Sequence, residues 1–202
     1  MAAVRSFARA ALLTLAIATP ALAQTPLSEK GWRVRAAPTD LRRIERLRPA
    51  WNEALPQARA ADPAAIRSFG ALIDPARALA TPLPPLGSYR CRTIKLGAPE
   101  GGLPFVAYDW FRCRVERSPG GEVTLSKYTG SQRFFGVLYP DGARRMVFLG
   151  AGSFGDEGWR PYRSDPDRDE VGVLERVEAG RWRLALPWPL YESKLDLIEI
   201  KR

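Results

Sequence analysis

From residue 88 onward the chain is written with a period of two. In RWRLAL, Trp182, Leu184 and Leu186 alternate with Arg181, Arg183 and Ala185. Successive side chains of a strand point to opposite faces, so this alternation predicts a strand with one face buried. RFFGVLYPDGARRMVFLG reads as two apolar runs around Pro140-Asp141-Gly142, a turn sequence. The same reading gives about eight strands, near 88–96, 104–116, 122–128, 132–139, 143–150, 170–178, 181–187 and 194–201. Most links are short, so neighbours in sequence are expected to pair antiparallel. Closure removes exposed edges, so the expected class is mainly β: an eight-stranded antiparallel up-and-down barrel over 88–202. A β-sandwich with N-terminal helices is the alternative.

Residues 38–80 have another texture, rich in Ala, Arg and Leu. Leu41, Ile44, Leu47, Trp51, Leu55 and Ala58 recur at steps of three and four, which puts them on one helical face. Thr39 and Asp40 are placed to cap the start, and Pro49 predicts a kink or break. Asp62-Pro63 marks a second start, with Asp as N-cap and Pro at the first helical position. TPLPPLG (81–87) closes the segment, because consecutive prolines cannot continue a helix.

The first residues carry Arg5 and Arg9 and no acid, followed by an apolar stretch and Ala21-Leu22-Ala23. A basic start, a short apolar run and an A-x-A site predict a secretory signal peptide over 1–23, cut after Ala23. The mature chain, 24–202, is then one domain in the periplasm or secreted, and it does not span the membrane after cleavage. Removing two of 31 basic residues and none of 22 acidic ones lowers the formal charge from +9 to +7. That charge favours anionic partners such as a membrane surface, an acidic polymer or an acidic envelope protein; no nucleic-acid partner is expected. Histidine is absent. This excludes a Ser-His-Asp triad, a Cys-His pair and a histidine-ligated metal.

The chain has two cysteines, in YRCR and FRCR. A hairpin centred on Gly102 sets Cys91 opposite Cys113, allowing for a shift of one or two residues. Facing strand positions lie within disulfide reach, and an oxidising compartment would close the bond. The same pleat puts Tyr89, Cys91, Phe111, Cys113 and Val115 on the core face and Arg90, Arg92, Arg112 and Arg114 on the other. In that register Arg90 faces Arg114 and Arg92 faces Arg112. Like charges on facing positions repel unless anions lie between them. The expected anions are internal carboxylates such as Glu192, Asp196 and Glu199; an anionic ligand is the alternative.

Three further stretches bear on chemistry. GSFGDEGWRPYRSDPDRD (152–169) is a long polar loop able to fold over a barrel mouth. Asp165, Asp167, Asp169 and Glu170 form a weak candidate oxygen cage for Ca²⁺, without the EF-hand spacing. Ser131, Arg133, Glu192, Ser193 and Lys194 sit at strand ends, where a Ser–Lys nucleophile or a carboxylate pair is conceivable. No catalytic residue and no cofactor is assigned.

Taken together, YRCRTIKLG, FRCRV, YTGSQRFFGVLYPDGARRMVFLG, RDEVGVLERV and ESKLDLIEI resemble a family of uncharacterised exported alphaproteobacterial proteins, defined by a domain of unknown function. The resemblance covers nearly the whole mature chain; it implies export and a single domain, and no activity. The barrel is also similar in fold to lipocalin-like binding proteins and to periplasmic protease inhibitors, though no G-x-W opens the first strand. The expectation is a non-enzymatic envelope binding or interaction module, with a periplasmic hydrolase using carboxylates or Ser–Lys as the alternative and a structural partner of an envelope complex as a third reading. A cavity holding carboxylates of perturbed pKa would speak for the enzyme. An apolar or arginine-lined cavity would speak for binding, and a filled barrel with a flat apolar patch for a protein partner.

Overall fold

A computed structural model describes residues 31–99 and 101–202. The signal peptide expected over 1–23, with its cleavage site, falls outside the described residues. Nine strands follow the helices: β1 (Gly87–Leu96), β2 (Phe105–Ala107), β3 (Phe111–Arg117), β4 (Val123–Lys127), β5 (Gln132–Pro140), β6 (Arg145–Phe154), β7 (Asp169–Glu178), β8 (Arg181–Pro187) and β9 (Leu195–Lys201). Each pairs antiparallel with its neighbour, and β1 also pairs with β9. The sheet is therefore a closed eight-stranded barrel with β2 as one extra strand, and the sandwich is excluded.

The first hairpin departs from the expected register. Ile94 faces Ala107, but Cys91 faces Phe111, so three steps along β1 answer four along the partner. The extra residue is taken up at Tyr108-Asp109-Trp110, which divides the expected 104–116 strand into β2 and β3. Beyond that bulge Tyr89, not Cys91, lies opposite Cys113. Between β1 and β3 the displacement from the expected pairing is two residues, an even number, so their side chains keep their faces. The disulfide Cys91–Cys113 forms on the diagonal, with Cα atoms 5.8 Å apart, inside the span such a bond covers.

The barrel interior is filled by Tyr89, Cys91, Cys113, Leu125, Phe134, Leu138, Phe148, Leu174, Trp182, Leu184, Ile198 and Ile200, among others. Three α-helices lie on the outer wall: α1 (Pro38–Glu45), α2 (Leu47–Ala61) and α3 (Pro63–Ser68). The stripe on α2, with Trp51, Leu55 and Ala58, buries against Ile94, Leu96, Leu195 and Leu197. Trp32 and Ile44 cover Tyr139, Val147, Leu149, Val171 and Val173 on β5–β7. The expected break falls at Arg46, just before Pro49. Proline has no N–H to give the Glu45 carbonyl, so the first helix ends there. Asp62 caps α3, accepting from Ala65 N at 2.9 Å. Asp40 does not cap α1; Ala37 holds that position with Pro38 next. No helix among the described residues is long and apolar enough to cross a membrane.

Candidate functional site

One end of the barrel is not filled. Four strands end there with a charged side chain at the next inward position of the core alternation. β1 runs Tyr89, Cys91, Thr93, then Lys95; β4 runs Val123, Leu125, Lys127; β7 runs Leu174, Gly172, Glu170; β9 runs Ile200, Ile198, Asp196. Strands β1 and β4 arrive at this end by their C-termini and β7 and β9 by their N-termini, so antiparallel pairing alone gathers the four charges. Lys95 and Asp196 are direct cross-strand partners. Above them a cavity of about 650 Å³ opens to solvent. Its lining includes Lys95, Gln132, Gly152, Glu170, Leu186, Glu192 and Asp196, with Phe154, Leu190 and Tyr191 toward the rim.

The electrostatics of the mouth follow from its depth. Burial inside the barrel pushes the Glu170 carboxyl up to about 7, and the neighbouring Asp196 charge pushes the same way. Burial raises Asp196 to about 6, although Lys95 and the Ser193 hydroxyl, which donates to Asp196 Oδ1 at 2.6 Å, pull it back. Lys127 is almost wholly buried; desolvation lowers it to about 8, against the pull of Glu170. Its ammonium donates to the Gln132 carbonyl and lies 4.1 Å from the centre of the Phe111 ring. Lys95 is buried too, which disfavours its charge, but Asp196 and Glu192 outweigh that and raise it. Glu192, which pairs with Lys95, holds a left-handed backbone (φ 71°), as does Trp188 (φ 51°), so the loop between β8 and β9 carries strain at both ends of Pro189-Leu190-Tyr191.

The long loop meets the mouth at its two ends only. β6 runs on to Phe154, so the loop proper begins at Gly155, and Gly155, Asp167 and Arg168 reach the cavity. Between them Trp159 packs at a tilt against Phe135 of the outer wall, ring centres 5.8 Å apart. The Tyr162 hydroxyl donates to Asp40 Oδ2 at 2.6 Å.

Of the residues singled out in the sequence for chemistry, Ser131, Asp167, Asp169, Glu170 and Glu192 reach the cavity lining, and Asp165, Arg133, Ser193 and Lys194 do not. Asp165 Oδ1 accepts from Asp167 N, Asp169 Oδ1 accepts from Arg163 N at 2.8 Å, and Glu170 points into the barrel. Among the described residues no group of three or more His, Cys, Asp or Glu side chains could hold a metal ion. Lys194 turns to Glu53, 3.1 Å away, so Ser193 has Asp196 and not a lysine as its partner. Arg133 donates to the carbonyls of Gly155 and Glu157 and holds the loop.

The arginines divide as well, and their expected pairing is corrected by the register of β1 on β3. Arg90 faces Arg112, and Arg114 faces Ser88. Arg92 faces Glu199 on β9 and pairs with it at 2.6 Å. Glu199 is 2% exposed and also takes Arg181 at 2.7 Å. Arg114 has Glu116 at 3.4 Å, both exposed. The internal network thus runs through Arg92 and Arg181, with Arg183 and Glu175 beside them.

Sequence reasoning had considered Glu170 and Asp196 for other roles and passed over Lys95 and Lys127. The signal was available: four inward-facing rows, each ending in a charge at one end of the barrel. Searches of curated proteins and of solved structures return no match. Residues 32–200 match the family described as Domain of unknown function (DUF4893), and the chain belongs to that family.

Proposed function

We propose that this chain is an exported binding protein of the cell envelope that takes a small polar ligand into the barrel mouth. The carrying observation is the 650 Å³ cavity, with Lys95, Glu170, Glu192 and Asp196 in its lining. A cavity of this size with a few convergent polar groups is the usual form of a small-ligand site. Its charged lining comprises the acids Asp167, Asp169, Glu170, Glu192 and Asp196 against Arg43, Lys95 and Arg168. With Glu170 ionising at about 7 and Asp196 at about 6, that excess of carboxylates is full only above neutral pH, where, in a chain of net charge +9, it favours neutral or cationic ligands over anions. Phe154, Leu190 and Tyr191 at the rim offer apolar surface to the rest of the molecule. Export is supported by the signal-like residues 1–23, by the resemblance to exported alphaproteobacterial proteins, and by a disulfide, which persists where the surroundings are oxidising.

The reading is tested by thermal-shift and native mass-spectrometric screening with sugars, amines and amino acids, each against wild type and Ser131→Trp. Ser131 lies on the lining and is exposed, so the indole fills the mouth without entering the core. Ligands that stabilise wild type and not the variant support the site. Equal shifts in both proteins place binding elsewhere and refute it. For export, N-terminal sequencing of protein recovered from the periplasm should begin at Gln24.

A second reading, acid–base hydrolysis at the same place, is favoured by the raised carboxyls of Glu170 and Asp196 in one cavity. Glu170, at about 7, could act as a general acid near neutral pH. Ser193 does not line the cavity and Lys194 is turned away, so such an enzyme would work with carboxyls and not with a Ser–Lys pair. Turnover of chromogenic esters or glycosides that is lost in Glu170→Gln, with ligand binding kept, would establish it.

A further inference from the structure

Closure of the barrel brings together cations that are far apart in sequence. Arg112 on β3 faces Arg90 on β1, and Arg90 in turn faces Lys201 on β9. The neighbours of these residues along each strand, Tyr89, Cys91, Cys113 and Ile200, point into the barrel core. Arg112, Arg90 and Lys201 therefore form one outward row across three adjacent strands, and all three are exposed. The ion pairs of this wall among the described residues run through Arg92, Arg114 and Arg181 and include none of the three. Glu199, the acid nearest along β9, is already shared by Arg92 and Arg181. The indole of Trp110 lies 5.1 Å from the Arg90 guanidinium and 4.6 Å from that of Arg92, and so orients the central member of the row.

We infer that this row is a docking surface for a linear chain of phosphate groups. Like charges on facing strand positions are unfavourable unless an anion neutralises them, and here the described residues supply none. Strands are about 4.8 Å apart, so the three cations extend over roughly 10 Å and diverge outward on a convex wall. A single phosphate cannot touch all of them, whereas a chain carrying repeated charges can. The row crosses the strands and follows the curve of the wall; a flat layer of lipid headgroups would meet it at one point. Arginine supplies a fork matched to phosphate oxygens, and two of the three are arginine. The surface is separate from the mouth, five residues along β1 from Lys95.

The test uses the folded, disulfide-bonded protein and inorganic polyphosphate as the probe, with affinity measured by calorimetry over a range of salt. The row variant is Arg90→Gln/Arg112→Gln/Lys201→Gln. The control is Arg59→Gln/Arg67→Gln/Arg144→Gln, which removes equal charge from exposed positions elsewhere. The row variant should bind at least 10-fold more weakly than wild type and the control less than 3-fold. The slope of log affinity on log salt should fall by about 2 in the row variant alone, three contacts at roughly 0.7 each for a single strand. Equal losses in the two variants would mean unspecific attraction to a basic protein and overturn the inference. Absence of polyphosphate binding would overturn it as well, and so would a row-dependent binding seen with anionic phospholipid vesicles and not with polyphosphate. Circular dichroism melts of both variants establish that each is folded.

Discussion

Replacing Arg183 by Met should cost about 4 kcal/mol, most of it from an ion pair left half-made. Arg183 is fully buried, yet it points away from the barrel core, into the layer between β8 and the helical segment. Its guanidinium donates to the carbonyls of Leu72 and Asp74 at 2.8 Å each and of Arg77 at 3.2 Å. It also pairs with Glu175, its cross-strand partner on β7, and lies 4.9 Å from the centre of the Trp51 ring. One side chain thus ties the end of the helical segment to the wall. Methionine keeps the stem but leaves the Glu175 carboxylate without its partner, a change worth about 3–5 kcal/mol for a buried pair. Water can reach the Asp74 and Arg77 carbonyls, which belong to exposed residues, but Leu72 is buried and its carbonyl would add about 1 kcal/mol. Glu175 keeps some exposure and relaxes toward solvent, which returns the total to the middle of the range. Urea unfolding followed by tryptophan fluorescence measures it. Arg183→Met/Glu175→Gln should recover about 1–2 kcal/mol, because no charge is then stranded. A loss below about 1 kcal/mol in the single variant, or a double variant no more stable than the single, would refute the role given to Arg183.

Other outcomes follow from the same geometry. Arg112→Met, on an exposed residue without an ion pair among the described residues, should change stability by less than about 0.5 kcal/mol in the same urea assay. Replacing Cys91 and Cys113 by Ala should cost about 3 kcal/mol, since the bond closes a loop with a separation of 22 residues; alkylation before and after reduction, read by mass spectrometry, checks that the bond is present. Gly172→Ala should cost about 1–3 kcal/mol, because its Cβ would come within 2.6 Å of the Ala185 carbonyl and 2.8 Å of Leu186. Glu170 and Asp196 bind protons more tightly folded than unfolded, with folded values of about 7 and 6. Stability should therefore fall as pH rises from about 4 to 7, and Glu170→Gln should flatten the upper half of that fall. Lys127, lowered to about 8, acts in the opposite sense and should restore stability as pH rises further, from about 8 to 10.

The barrel was legible because a period of two, repeated with short turns, admits few arrangements. The helices were legible through the Leu41-to-Ala58 stripe and Asp62-Pro63. What the sequence could not supply was the bulge at Tyr108-Asp109-Trp110, since a one-residue insertion in a ladder has no compositional mark in YDW. Nor did it place the turn: Leu96 pairs with Phe105, three residues off a hairpin centred on Gly102, and the bulge takes one of those back, so Arg92 was set against Arg112 when it belongs to Glu199. The cysteines survived the same error because the displacement was even and kept both on the inner face. Asp40 was read as a cap from its position alone; Pro38 starts the helix earlier and frees Asp40 to pair with Arg43 and to take the Tyr162 hydroxyl, a contact 122 residues away in sequence. Arg183 was assigned to the outer face correctly, but its burial depends on carbonyls of the helical segment that periodicity cannot place.

The mouth departs from what stability alone would select. The closed half of the barrel is filled at inward positions by Cys, Val, Leu, Phe, Trp and Ile. At the mouth the same inward rows carry Lys95, Lys127, Gly152, Glu170 and Asp196. Fully burying one large apolar side chain stabilises a fold by about 1.5–3 kcal/mol, and each of these five positions forgoes that gain. Lys95, Lys127 and Asp196 are nevertheless buried, at 7%, 3% and 8% exposure, and so pay in desolvation as well. Gly152 is informative in its own right: an added Cβ would meet the Glu170 carboxyl at 2.9 Å, so the glycine leaves room for that carboxyl at the cavity edge. A barrel needing only to stand would close this end with leucine and phenylalanine, as it closes the other. The mouth is the part of the structure that stability does not account for, and it is there that a ligand should first be sought.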